Sequence, residues 1–182
     1  MFYAIGLVEL SSIAKGIAVV DAMLKAAEVE LLVAKSICPG KYIAMVNGDV
    51  AAVSQAVDIA KKAGGHLLVD HFVIPNIHPS IMPAISGVTE VDVVNAISVI
   101  ETYSVATAIE AADAAVKAAS VIPIRIHMAF GIGGKCYFVL NGDVAAITAA
   151  TEIAVEVASA KGLLVQYSII PRPAPALIKT LI

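Results

Sequence analysis

Two rhythms of apolar residues take turns along the chain: short β-rich runs, and longer stretches with an apolar residue every three or four positions. A β-rich run occupies 3–10. Ser11 or Ser12 can then cap a helix over 13–27, where Ile17, Val20, Leu24 and Ala27 recur at helical spacing. Runs at 30–37 and 42–46 read as strands on either side of a Cys38-Pro39-Gly40 turn. Asp49 caps a second helix that reaches 63 and is stopped by Gly64-Gly65. A fourth strand over 67–74 ends at Pro75. The cycle then repeats, with a strand near 95–101, a helix over 104–119, strands over 122–129 and 135–140, a helix over 143–160 and a strand over 163–170. The order βαββαβ predicts an α/β (α+β) chain of two ferredoxin-like domains, each a sheet with both helices on one face.

The second cycle is a copy of the first. The segment NGDVAA at 47–52 recurs 94 positions later, at 141–146. Upstream, Ala4, Glu9, Ser12, Asp21 and Lys25 match Ala96, Glu101, Ser104, Asp113 and Lys117, each 92 positions on. Downstream, Leu67-Leu68-Val69 and Ile74-Pro75 match Leu163-Leu164-Val165 and Ile170-Pro171, 96 positions on. The offset grows by two twice, so two small insertions lie in the second copy, one matching 35–41 and one near Gly64-Gly65. Tandem duplication joined around SGVTEVD predicts domains at 1–88 and 93–182.

Composition adds a puzzle. Of 182 residues 59% are hydrophobic and only 15% charged, and the mean hydropathy of +0.90 is high enough to suggest a membrane protein. The longest stretch without Asp, Glu, Lys or Arg, 71–89, contains His71, Asn76 and His78, and Pro75, Pro79 and Pro83 interrupt any helix through it. No membrane span is expected. The start, MFYAIGLVEL, lacks the basic region and cleavage site of a signal peptide. A net charge of −3 with no basic stripe argues against nucleic-acid binding. Two cysteines without a secretory signal point to a reducing, cytosolic setting. The apolar excess then implies surface that self-association buries.

Both copies carry a D-x-x-x-K-A-A segment on the first helix (21–27 and 113–119), a Gly-containing loop between the second and third strands, and an NGDV turn opening the second helix. An Ile-Pro exit completes the set. With these features the chain resembles the bacterial microcompartment shell proteins over almost its whole length. Two fused copies resemble the tandem-domain class, whose members form trimers that imitate hexamers. SICPGK at 36–41 with HMAFGIGGKCY at 127–137 resembles the propanediol-utilisation T-type branch, which is taken to carry an iron–sulfur cluster on its three-fold axis.

The resemblance implies a pseudo-hexameric homotrimer tiling the shell of a compartment in the cytoplasm, beside other shell proteins and facing a possible redox enzyme inside. It implies one [4Fe–4S] cluster per trimer, held by Cys38 from each of three subunits, with Pro39 and Gly40 shaping the ligand turn. A single chain cannot hold it, because such clusters ordinarily take four thiolates and this chain has two cysteines. Nearby amides could then hydrogen-bond the sulfides, and Lys35 and Lys41 offset the charge. Ser36, Ile37 and Lys41, with Gly131, Ile132, Gly133 and Gly134, would line the pore. Lys25, Lys117 and Arg172 match tile-edge residues, although the first-copy counterpart of Arg172 is Asn76.

Read from the residues alone, Cys38 is equally a small residue in a turn. Cys136 lies in an alternating strand and reads as a core thiol. The glycines at 131–134 suggest a phosphate cradle, but a strand rather than a helix follows them. No nucleophile elbow, HExxH or paired-cysteine zinc spacing is present, and His66, His71, His78 and His127 show no metal spacing, so an enzyme is not expected. The remaining alternatives are a tile with an unmetallated pore for small metabolites and a soluble trimeric ligand sensor.

Overall fold

The computed structural model describes residues 4–181; Tyr3, where the first strand is expected to begin, lies outside the described residues. The first repeat runs β1 (Ala4–Leu10), α1 (Ile13–Ala26), β2 (Glu30–Ile37), β3 (Lys41–Gly48), α2 (Val50–Gly64) and β4 (Leu68–Ile74), followed by a short helix α3 (Ile81–Ser86). The second runs β5 (Ala96–Thr102), α4 (Val105–Ala118), β6 (Ile122–His127), β7 (Cys136–Gly142), α5 (Val144–Ala160) and β8 (Leu164–Ile170), followed by α6 (Pro175–Leu181). Each repeat builds one antiparallel sheet, in the orders β2-β3-β1-β4 and β6-β7-β5-β8. This is the ferredoxin-like topology expected from βαββαβ. Among the described residues no helix is long and apolar enough to cross a membrane.

The chain divides into two compact units. One holds the residues up to Ile77 together with Ser104–Ala106 and Ala129–Gly134; the other holds His78–Tyr103, Thr107–Met128 and the residues from Lys135 on.

In the first unit, one face of the sheet carries Ala4, Val8, Leu10, Ala44 and Val46. It packs against Val19, Val20 and Met23 of α1 and Val53, Ala56, Val57 and Ala60 of α2. Helix α2 approaches so closely that a Cβ on Gly6 would lie 2.7 Å from Val57 Cγ2 and 2.8 Å from Val53 Cγ1. The opposite face, with Ile5, Leu7, Glu9, Ile43 and Met45, is also wholly buried. Strand β1 thus has no exposed side.

The second unit solves the helix–sheet contact differently. Ser98 stands where the first repeat has Gly6, and the buried Thr151 hydroxyl of α5 is hydrogen-bonded to Ser98 Oγ at 2.8 Å. Ile147, Ala150, Ala154 and Ala158 complete the buried stripe of α5. The other face of this sheet stays open as a groove of about 360 Å³ lined by Val99, Glu101, Tyr137, Gln166, Tyr167 and Ser168.

Two details depart from the sequence reading. The Pro-rich exits fold into α3 and α6 rather than simply ending the repeats. Pro83 sits in the first turn of α3 and Pro175 is the first residue of α6, where a missing N–H breaks no helical bond. Asp49 and Asp143 do occupy the caps of α2 and α5, but their side chains make no capping hydrogen bond. They place negative charge at the positive helix end instead. Ser12 is a true cap, accepting the Lys15 N–H at 3.3 Å.

Candidate functional site

Strands β2 and β3 pair in register up to Ile37 and Lys41, which leaves Cys38, Pro39 and Gly40 to make the turn. Gly40 takes φ 96°, a left-handed value that favours glycine, and its N–H donates to Ile37 O at 2.9 Å. The Cys38–Pro39 peptide is cis. Ser36, Pro39 and Gly40 are exposed and Ile37 is buried beneath them. Cys38 is a free thiol, partly exposed at the tip, whereas Cys136 is wholly buried, as its place in an alternating strand suggests.

The Gly-rich loop belongs to the same unit and braces this turn. Cys38 N–H donates to Ala129 O at 3.1 Å. A Cβ on Gly134 would stand 2.5 Å from Pro39 Cδ and 3.1 Å from Cys38 O, so only glycine lets the two backbones come this close. A Cβ on Gly131 or Gly133 would meet nothing within 4 Å, and Ile132 is half-buried between them. The two loops assigned to a pore are therefore in mutual contact, which the sequence did not reveal.

The groups beside the turn are engaged within this chain. Lys35 Nζ lies 4.1 Å from the centroid of the Phe130 ring, and Lys41 Nζ lies 2.7 Å from Glu9 Oε1. Both ammonium groups have partners other than the turn. The Cys38 and Gly40 amides donate to Ala129 and Ile37 carbonyls, and Pro39 has no N–H. These three residues have no spare amide for a bound group.

A polar cluster that sequence reasoning missed lies on the second buried face of the first sheet. Glu9 pairs with Asp70 across β1 and β4, and both are buried. The Ser104 hydroxyl lies 2.5 Å from Asp70 Oδ2 and 3.1 Å from Glu9 Oε2, and Val105 N–H donates to Glu9 Oε2 at 2.8 Å. The duplication offers the signal that could have found it. Glu101 and Lys135 repeat Glu9 and Lys41, again 2.7 Å apart, and Gln166 stands where Asp70 does. Hydrogen bonding to Glu101, then its charge, raises the Lys135 pKa. On the same sheet His127 and Tyr137 stack, with ring centroids 5.2 Å apart and planes 7° from parallel. Burial, then the Arg125 charge, lowers the His127 pKa.

The edge residues sit on helices and exits as expected. Lys25 pairs with Asp21 at 2.6 Å with both side chains open to solvent. Lys117 pairs with Asp113 at 2.5 Å, and Asp113 is buried and also accepts the His78 N–H. Arg172 and Asn76 are exposed. Among the described residues no three His, Cys, Asp or Glu side chains gather as a metal site.

A family model described as the BMC domain matches twice, over residues 4–77 and 96–173. The bacterial microcompartment shell protein PduT of Citrobacter freundii is 56% identical over 173 residues, 95% of this chain and 94% of its own. The shell protein EutM of Salmonella typhimurium is 42% identical over 78 residues, 43% of this chain and 79% of its own. A crystal structure of a microcompartment protein from Desulfitobacterium hafniense DCB matches with a TM-score of 0.84 at 46% identity, covering 97% of this chain and 98% of that one. These relatives are structural shell components rather than enzymes. The chain belongs to the bacterial microcompartment shell proteins and carries two tandem BMC domains.

Proposed function

We propose that three copies of this chain form one shell tile with a [4Fe–4S] cluster at its centre, held by Cys38 from each copy. The observation that carries this reading is a single part-exposed thiol at the tip of a turn whose backbone is braced by Ala129 and Gly134. Such bracing fixes a ligand in advance, as metal sites require. Cys136 is enclosed in the core and cannot serve. Bound there, a cluster would supply one-electron exchange across the shell, to a redox enzyme inside the compartment. Lys25, Lys117 and Arg172 would meet neighbouring shell proteins at the tile edges.

Protein purified without oxygen tests this reading. It should be brown and contain iron and sulfide, Cys38→Ser should remove both, and Cys136→Ser should leave both in place. Colour that survives Cys38→Ser overturns the ligand assignment. Wild-type protein free of iron and sulfide after anaerobic reconstitution leaves a tile whose opening passes small metabolites. A discrete trimer that never forms sheets under the electron microscope favours a soluble ligand sensor instead.

A further inference from the structure

The helix side of the second sheet carries a cleft of its own. Tyr167 and Ile169 of the edge strand β8 pair with Ile100 and Ser98 of β5, and Ser98 is hydrogen-bonded to Thr151 of α5. Side chains two apart on a strand share a face, so Tyr167 and Ile169 stand on the face that α5 covers. Where α5 meets β8 a cavity of about 360 Å³ remains, lined by Glu152, Val155, Glu156, Tyr167 and Ile169. The groove around Glu101 lies on the other face of the same sheet.

Glu152 and Glu156 are one helical turn apart on α5, so their carboxylates repel each other. Among the described residues no Lys, Arg or His forms a salt bridge with either. The first repeat shows what is missing. At the same places, 94 positions earlier, it has Asp58, Lys61 and Lys62, and Lys61 Nζ lies 3.3 Å from Asp58 Oδ1. The second repeat keeps the first acid as Glu152, replaces Lys61 with Val155, and puts a second acid, Glu156, in place of Lys62. The charge that the first repeat neutralises from its own helix is left open here, beside an apolar wall and a tyrosine ring.

We propose that this cleft binds a small organic ammonium ion. The ammonium head sits at the two carboxylates, in the role that Lys61 fills in the first repeat. A short alkyl tail lies on Val155 and Ile169. Tyr167, 45% exposed, offers a ring face that attracts a cation. A hard metal ion gains nothing from those apolar groups, and no third His, Cys, Asp or Glu gathers with the pair among the described residues. The volume is at the small end of ligand pockets, which suits an amine of a few carbons. Nothing in this site draws on Cys38 or on a cluster.

The test is saturation-transfer NMR on the full chain, titrated with n-butylammonium chloride. Wild type should transfer saturation to the butyl protons, and n-butanol, as long but uncharged, should bind far more weakly. Glu152→Gln with Glu156→Gln keeps the shape, removes the charge and should weaken butylammonium binding by about tenfold or more. Val155→Lys restores the lysine of the first repeat and should close the site. Glu156→Lys does the same from an exposed position if circular dichroism shows that Val155→Lys misfolds. Asp58→Asn, in the first repeat, should leave binding unchanged. Butylammonium binding that survives the double change or the added lysine, butanol that binds equally well, or wild type that binds no amine overturns the site. Displacement of butylammonium by magnesium chloride, beyond what sodium chloride of the same ionic strength achieves, would make this a metal site and overturns it too.

Discussion

The Glu9 carboxylate is wholly buried, 2.7 Å from Lys41 Nζ. Breaking a buried pair by removing one partner leaves an uncompensated charge in a poorly solvated place and costs about 3–5 kcal/mol. Lys41 reaches partly into solvent, so Lys41→Met should lose about 3 kcal/mol in urea unfolding, the low end of that range. Lys135→Met removes the same contact from the partly exposed Glu101 and should move the midpoint far less, because water screens that pair. Equal losses would mean that burial does not distinguish the two pairs.

The same residues mark where the sequence stopped being legible. Element order and most bounds follow from local signals: 30–37 is a strand because β-rich residues run up to a Cys-Pro-Gly turn, and α1 starts where Ser12 caps it. The Cys38 turn was legible for the same reason. Its braces were not, because Ala129 and Gly134 are some 90 residues away and nothing local couples them. Nothing in the local sequence marks Glu9 as buried. Glu101 is the same residue in the same repeat position, so their difference lies in their surroundings rather than in the letters. The short helices α3 and α6 escaped because Pro reads as a break, although it costs little in a first turn.

Gly134→Ala should disturb the Cys38 turn. The added methyl meets Pro39 Cδ at 2.5 Å, and φ 85° is strained for any side chain. Melting temperature and iron content after anaerobic reconstitution should both fall. Gly133→Ala also carries a positive φ but meets nothing within 4 Å. It should cost only the left-handed backbone penalty, on the order of 1–2 kcal/mol, and retain its iron. Equal iron loss in both would mean that bracing by Gly134 is irrelevant to the turn.

A thiol reagent should separate the two cysteines. Cys38 is partly exposed and Cys136 wholly buried. Metal-free native protein should react at Cys38 within minutes and at Cys136 only after denaturation, as peptide mapping of the labelled chain would show. Rapid native labelling of Cys136 would mean that β7 opens readily.

His127 should titrate below the ordinary histidine value of 6.5, because burial and then the Arg125 charge disfavour its charged form. Its Nδ1 is shielded and has no hydrogen-bond partner, so a proton gained there is poorly solvated. The folded value is depressed, so the histidine's contribution to stability is complete above 6.5 and is lost as pH falls through the folded-state value. Following the ring protons by NMR should give a midpoint under 6.5. Arg125→Gln should move it part of the way back, since burial, the larger cause, remains. His127→Phe keeps a ring to stack on Tyr137 and should lessen the loss of stability between neutral and acidic pH. A midpoint at or above 6.5, or an unchanged acid limb in His127→Phe, would show that the ring is not held in its neutral form.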